Sequence, residues 1–222
     1  MKNRSLELPQ DRIKDIIAIL TDLYPGATCS LDFKSCHQLM VAAILAAQCT
    51  DERVNRVTPE LFAKYPDVAA FAEAIYDELE AIVRPTGFFR NKSKAIIESA
   101  RQLVQDYHGQ VPDEIDELVK LSGVGRKTAN LIVGVCYGRP AVIVDTHVTR
   151  ISRRLGLTTH KDPTKIEMDL RELLPEENMT EFNHIIVFHG RQICKAPTPR
   201  CEICPLVPLC PHGQERMAAK AK

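Results

Sequence analysis

Four cysteines lie close together near the end of the chain: Cys194, Cys201, Cys204 and Cys210. They are separated by six, two and five residues, so four thiols fall within seventeen residues. Each thiolate is only a short loop away from the next, and such a loop can wrap around one compact inorganic centre. The spacing favours a 4Fe-4S cluster.

Zinc binding and disulfide bonding are the alternatives. Zinc ribbons usually contain two Cys-x-x-Cys pairs, and only Cys201 and Cys204 form one here. Disulfide frameworks are typical of small secreted proteins, whereas the first ten residues contain no apolar secretory core and 222 residues can bury a large interior. The remaining cysteines are expected to be buried core residues without a chemical role: Cys29, Cys36, Cys49 and Cys136.

The 29 basic and 29 acidic side chains balance, so the chain lacks the net positive charge that is typical of nucleic-acid-binding proteins. The basic residues are nevertheless unevenly distributed. They are concentrated in residues 84–94, 120–127, 150–154 and 191–200. If the fold gathers these segments on one face, that face can bind a phosphate backbone; scattered solvated charges are the alternative.

Apolar residues recur with a helical period along most of the chain. Residues 39–47 are apolar on every side, which predicts a helix in the middle of a bundle, and this longest apolar stretch is about half as long as a membrane span. We therefore expect no membrane-spanning segment and a cytoplasmic protein. Only residues 141–144 are typical of a strand, and they have no partner, so the sequence predicts an all-α fold.

Helix ends and chain joints are marked by particular residue types. Asp51 and Asp145 are suited to N-caps, and Gly109 and Gly156 to positions just after helix C-termini. Proline-containing joints near Gly26 and at residues 138–140 are candidate domain boundaries. A central module would then be flanked by segments from both ends of the chain.

Residues 118–134 read LVKLSGVGRKTANLIVG, which predicts a helix, a short turn with Gly123 and Gly125, and a second helix that begins at about Arg126. Glycines let the backbone turn tightly and bring its N–H groups close to an anion, which the positive end of the second helix favours. A phosphate group fits this site, and an ordinary helix-to-helix connection is the alternative.

Lys127 and Asp145 stand near predicted helix N-termini. The helix dipole disfavours a cation at Lys127, but by at most about 1 kcal/mol at an exposed terminus. A nucleophilic lysine therefore also needs burial or a nearby cation, and Arg126 is adjacent; a solvated lysine that contacts DNA phosphate is the alternative. Cap hydrogen bonds would hold the Asp145 carboxylate rigidly.

Three motifs occur together and in order: LSGVGRKTAN, VDTHVTRISRRLG and the four-cysteine loop. With them the chain resembles the endonuclease III family, which are bifunctional DNA glycosylases and abasic-site lyases of the helix-hairpin-helix superfamily. The resemblance implies an all-α protein of two helical lobes with a DNA-binding groove between them. Residues 29–139 would form a helical barrel with the hairpin, and residues 1–28 and 140–222 an iron-sulfur cluster domain.

The resemblance further implies a monomer that excises oxidised pyrimidines from damaged double-stranded DNA during base excision repair. Lys127 matches the catalytic lysine, which attacks C1′ as a neutral amine and forms a Schiff base before β-elimination nicks the strand. Asp145 matches the catalytic aspartate, which stabilises positive charge on the sugar. The four loop cysteines would bind the 4Fe-4S cluster, whose contribution is structural.

The same resemblance assigns the DNA contacts. The target base lies inside the duplex, so its nucleotide must be rotated out and the gap filled. Gln48 matches the residue that fills the gap and Phe88 matches an apolar wedge, a position that Phe89 could share, with core packing as the alternative for Phe88. Further contacts fall on the hairpin and on cations beside the cluster: Gly123, Val124, Gly125, Arg191, Lys195 and Arg200.

One departure from the family pattern and one alternative function qualify the resemblance. Ser122 stands where the family commonly has proline, which predicts a slightly looser hairpin turn. A monofunctional adenine or thymine mismatch glycosylase is the alternative function, but such relatives generally lack a lysine at the position of Lys127.

Overall fold

The structure is a computed structural model that describes residues 10–220. All regular structure within these residues is helical, which confirms the predicted all-α fold. The expectation that the chain has no secretory signal concerns its first ten residues, and all of these except Gln10 lie outside the described range. The α-helices are α1 Gln10–Leu23, α2 Cys36–Leu45, α3 Asp51–Lys64, α4 Val68–Ala72, α5 Tyr76–Val83, α6 Phe89–Asp106, α7 Ile115–Leu118, α8 Arg126–Tyr137, α9 Thr146–Arg154, α10 Pro163–Leu173, α11 Met179–Gln192 and α12 Pro211–Lys220.

The chain divides into two compact units. The central unit is Cys29–Arg139 and contains α2 to α8. The terminal unit combines the residues up to Thr28 with those from Pro140 onwards, and contains α1 and α9 to α12. Within residues 10–220, every helix is too short or too polar to span a lipid bilayer.

Helix α2 lies in the core of the central unit, as the apolar residues 39–47 predict, although the helix ends at Leu45. Leu39, Met40, Val41 and Ala42 have no exposed surface, and the helix contacts α3, α6 and α8. Each fully buried aliphatic side chain stabilises the unit by about 1.5–3 kcal/mol relative to an exposed one. The cysteines outside the C-terminal loop depart from the prediction, because each is half-buried rather than buried: Cys29, Cys36, Cys49 and Cys136.

The terminal unit has its own core, formed by one face of α1 and the apolar faces of α9, α10 and α11. Residues 141–144 are buried in this unit but form no strand, because no partner strand exists within the described part of the chain. Asp145 follows directly and is the N-cap of α9, as predicted. Thr50, not Asp51, caps α3, because Thr50 has the extended backbone that the cap position requires and Asp51 is already helical.

Candidate functional site

The hairpin between α7 and α8 turns at Gly123. The Val124 N–H donates to the Leu121 carbonyl over 3.1 Å, and Gly123 has a φ of +77°. A Cβ atom at Gly123 would lie 2.8 Å from the Cβ of Ala95, so both the backbone conformation and the packing require glycine. Val124 is buried, whereas Gly125 is the exposed N-cap of α8 and provides no side-chain cap. The first N–H groups of α8 are thus open to an anion.

Ser122 fastens this turn to α6. Its N–H donates to the Gln102 side-chain oxygen over 2.8 Å, and its hydroxyl donates to the Glu98 carboxylate over 2.9 Å. The Gln102 amide in turn donates to the Lys120 carbonyl over 3.2 Å. Proline has no N–H and no hydroxyl, so it could make neither Ser122 bond. The expectation that Ser122 loosens the turn left out these bonds, which stabilise it.

Lys127 lies in the first turn of α8, with an exposed side chain. Its amine makes no hydrogen bond or ion pair with any residue between 10 and 220. Three positions later, Asn130 is buried and its amide donates to the Arg126 carbonyl over 3.1 Å. The Asn130 bond therefore fixes the start of α8. The Lys127 amine, in contrast, is accessible to a reactant.

Asp145 is half-buried at the start of α9 in the terminal unit. One carboxylate oxygen accepts a hydrogen bond from the Val148 N–H over 2.7 Å. The other oxygen has no hydrogen-bond partner among the described residues. Because the cap bond on one side and the buried residues 141–144 on the other fix its position, the carboxylate is a rigid anion with one oxygen available.

Gln48 and Phe88 share an unusual backbone conformation. Three residues other than glycine have positive φ within residues 10–220, and two of them are Gln48 at 53° and Phe88 at 49°. A left-handed conformation costs about 1–2 kcal/mol at such residues, and strain of this kind is concentrated at functional sites. Both side chains are exposed, Phe88 by 61%, so the core-packing interpretation of Phe88 is wrong.

Phe89 differs from its neighbour. Its ring is half-buried and lies beside two guanidinium groups, with Arg84 at 5.4 Å and Arg90 at 5.8 Å from the ring centroid. Such cation–π contacts hold the ring against the central unit. Of the two phenylalanines, Phe88 is therefore the one that is presented to solvent.

The four C-terminal cysteines line one apolar cavity in the terminal unit, and none forms a disulfide. Apolar residues contribute to the lining: Ile151, Leu155, Ile193, Leu206 and Val207. Cys201 and Cys210 are buried. Within residues 10–220, no three histidine, cysteine or acidic side chains converge on the position of a single metal ion.

Hydrogen-bond donors surround these sulfurs. The Gly213 N–H lies 3.3 Å from the Cys210 sulfur, and the Arg154 guanidinium lies 3.2 Å from the Cys194 sulfur. Burial, and then the charge of nearby Cys194, raise the pKa of Cys204 to about 11. A positively charged centre beside Cys204 would favour its thiolate form and offset this effect of burial.

Arg150 and Arg154 of α9 fix the cysteine loop, which the sequence did not reveal. Arg150 donates to the Cys194 carbonyl over 3.1 Å, and Arg154 donates to the Lys195 and Pro197 carbonyls over 3.0 and 3.2 Å. Arg150 and Arg154 are four residues apart and therefore lie on one face of α9. This spacing is the sequence signal that could have indicated their shared role. Gly190 of α11 leaves the room for this arrangement, because a Cβ atom there would collide with His147 and Arg150.

The predicted sites fall into two groups. The cations Arg191, Lys195 and Arg200 are exposed beside the cysteine loop. They belong to the terminal unit, as do Asp145 and the four cysteines, whereas the central unit contains Lys127, the hairpin, Gln48 and Phe88.

Known proteins are similar to this chain in both sequence and fold. A family model for HhH-GPD superfamily base excision DNA repair proteins matches residues 41–176. Endonuclease III of a Synechocystis species is 49% identical over 212 residues, which cover 95% of this chain and 97% of that protein. A solved structure of a trapped endonuclease III–DNA covalent intermediate has a TM-score of 0.89 at 41% identity, with 95% of this chain and 99% of that chain covered.

A more distant structure shares the fold alone. A thermostable thymine-DNA glycosylase has a TM-score of 0.84 but only 19% identity, and covers 92% of this chain and 98% of its own. The closer similarity to endonuclease III, over nearly the full length of both chains, confirms the family that the three motifs indicate. The chain belongs to the endonuclease III family, within the helix-hairpin-helix superfamily of base excision DNA repair proteins.

Proposed function

We propose that this enzyme excises oxidised pyrimidines from damaged double-stranded DNA and then nicks the strand through a Schiff base on Lys127. DNA glycosylase and abasic-site lyase activity follows from its family. The lyase activity is assigned to Lys127 on one observation. Its amine is exposed at the start of α8 and has no partner among the described residues.

Lys127 supplies the nucleophile. As a neutral amine it attacks C1′ of the damaged nucleotide, and the base leaves with the bonding electrons and takes up a proton. The nitrogen then loses its proton, the sugar ring opens, and a Schiff base joins the lysine to C1′. Loss of a C2′ proton expels the 3′ phosphate by β-elimination, and hydrolysis of the imine releases the lysine.

Asp145 supplies a fixed negative charge. Positive charge develops on the sugar as the base leaves, and a preorganised anion stabilises that charge without having to reorient. The cap bond to Val148 fixes one oxygen of the carboxylate, so the other is available for the sugar. Asp145 thus combines a structural role in α9 with an electrostatic role in base removal.

Gln48, Phe88 and the hairpin bind the DNA. The exposed Phe88 ring is suited to insertion between bases, and Gln48 can hydrogen-bond in the gap that an extruded nucleotide leaves. The hairpin residues Gly123, Val124 and Gly125 lead into the first N–H groups of α8, which are open and suited to a phosphate. In the terminal unit the cations beside the cysteine loop, Arg191, Lys195 and Arg200, are suited to further phosphate contacts.

The cysteine loop is suited to a 4Fe-4S cluster. Its donors are four sulfurs around one apolar cavity, which is typical of an iron-sulfur site. Cys194, Cys201, Cys204 and Cys210 would hold the cluster. When bound, it supplies a rigid thiolate-ligated centre that fixes the loop and its phosphate-binding cations.

The lyase proposal is tested by reduction with borohydride during incubation with duplex DNA that contains one abasic site. We expect a covalent protein–DNA adduct whose tryptic map places the sugar on Lys127. A glycosylase that leaves the strand intact and gives no adduct would instead be monofunctional, as the mismatch-specific alternative requires. Duplexes with single lesions, compared by single-turnover rate, test the preference for oxidised pyrimidines.

Replacing Cys204 with serine is expected to remove most of the bound iron and sulfide, because a hydroxyl is a poor ligand for the cluster. Iron and sulfide analysis, together with visible absorbance, measures the loss. Cys136→Ser is the matched control, since it alters a half-buried thiol in the other unit and should keep the cluster. One zinc ion per chain without sulfide, or full iron content in Cys204→Ser, would contradict the cluster assignment.

A further inference from the structure

Lys92 is a buried lysine in the first turn of α6, with 5% of its surface exposed. Its amine donates two hydrogen bonds of 2.8 Å, one to the Leu45 carbonyl and one to the Thr86 carbonyl. Lysine is seldom buried unless it is paired, because removing its charge from water is unfavourable. Burial lowers the pKa of Lys92 from its usual value. Its position thus depends on the hydrogen bonds that it makes.

The two carbonyl groups belong to the segments that lead to Gln48 and Phe88. We call residues 45–48 the Gln48 loop and residues 86–88 the Phe88 loop. Leu45 is the last residue of α2 and lies three residues before Gln48. Thr86 is the last residue of a 3₁₀ turn and lies two residues before Phe88. The backbone N–H of Lys92 also donates to the Phe88 carbonyl, over 3.1 Å. Lys92 therefore makes hydrogen bonds to the segments at which both loops begin.

Both loops carry backbone strain at the residue that they present. Gln48 and Phe88 have left-handed φ angles, which persist only where the surrounding structure enforces them. Both side chains are exposed, so burial in the core does not fix their positions. The hydrogen bonds of Lys92 are a direct connection between the two loops, and they join backbone atoms that do not depend on either side chain.

We propose that Lys92 is a positioning residue for base extrusion, which couples the Gln48 loop to the Phe88 loop so that both side chains enter the DNA as one rigid pair. It does not touch the substrate. This inference rests on the proposed function, because it requires Gln48 and Phe88 to act on the DNA stack. Its consequence is selective: loss of the coupling slows reaction at a lesion that must be extruded from a paired duplex.

The test compares two substrates in single-turnover reactions. One contains an oxidised thymine paired with adenine, and the other contains the same lesion in an unpaired bubble, where no extrusion from a stacked pair is needed. Lys92→Met keeps the length of the side chain but removes its donors. We expect its rate on the paired lesion to fall about tenfold or more relative to the bubble lesion, since small misplacements of positioning groups have effects of this size.

Lys94→Met is the matched control. Lys94 lies on the same helix two residues later, is exposed, and contacts only Glu98, at 3.8 Å, among the described ion pairs. This variant removes the same charge and should keep the wild-type ratio of the two rates. If Lys92→Met does not fold, as judged by circular dichroism, Lys92→Arg replaces it. The guanidinium keeps the charge but shifts the two carbonyls, and the same change in ratio is expected.

A Gln48→Ala, Phe88→Ala double variant separates the inference from the function on which it depends. If this variant and the Lys92 variant both lose rate selectively on the paired lesion, the coupling role is supported. If the double variant does so but a folded Lys92 variant slows both substrates equally or neither, Lys92 is merely structural and the inference is wrong. If the double variant shows no selectivity, the roles of Gln48 and Phe88 fail, and the coupling role fails with them.

Discussion

Replacing Lys127 with alanine is expected to abolish the borohydride-trapped adduct and to slow strand nicking by at least about 10³-fold, the scale on which loss of a nucleophile acts. Stability should change by less than about 0.5 kcal/mol, because the side chain is exposed and forms no hydrogen bond or ion pair within residues 10–220. DNA affinity should fall by less than about tenfold, since one cation among many is lost. Single-turnover nicking of abasic DNA and a binding titration measure these effects.

Lys120→Ala provides the matched control for Lys127. It removes an exposed cation from the other side of the hairpin, where Lys120 pairs with Glu117 at 2.7 Å. Nicking by this variant should stay within a fewfold of wild type. If Lys127→Ala, purified free of other lyases, nicked DNA at the wild-type rate, another amine would be the nucleophile and the mechanism proposed for Lys127 would be wrong.

Replacing Asp145 with asparagine is expected to slow base removal by about 10²-fold or more, the scale of losing one preorganised electrostatic group. Asparagine is as good an N-cap as aspartate, so α9 should keep its first turn and the free energy of unfolding should change by less than about 1 kcal/mol. Excision in a single turnover and chemical denaturation measure the two quantities on the same preparation.

Asp145→Ala separates the two roles of this carboxylate. Alanine lacks the oxygen that accepts from Val148, so this variant should lose about 1 kcal/mol more stability than the asparagine variant while excising bases at a similarly low rate. If Asp145→Asn excised bases as fast as wild type, the carboxylate would serve only as a cap. If both variants were equally unstable, the slower reaction would reflect the fold and not the charge.

Local sequence signals predicted the parts of the fold that depend on local rules. Residues 39–45 of α2 lie in the interior because their apolar side chains cover every face of that part of the helix, and Asp145 caps α9 because a short acceptor precedes an amphipathic helix. Residues 141–144 show the limit of such rules. Their composition is typical of a strand, but a strand needs a partner, and the burial of these residues among helices decides their structure.

Features that depend on tertiary contacts were not predictable from the sequence. The left-handed φ angles of Gln48 and Phe88 oppose the preference of each residue, and only the surrounding packing enforces them. In the sequence, Lys92 is one cation in a basic segment, and Arg154 is one of several arginines. Their hydrogen bonds reach Leu45 in one case and Pro197 in the other, which are 47 and 43 residues away.

The division of the chain has a consequence for its synthesis. The central unit is one continuous segment that ends at Arg139, so it is complete while the rest of the message is still being translated. The terminal unit joins α1 to α9, α10, α11 and α12, which are synthesised after the central unit. The core of the terminal unit can therefore form only after the central unit has been synthesised, because α1 packs against helices that come later in the chain. The cluster proposed for this unit can be assembled only after that stage, once all four cysteines have been synthesised.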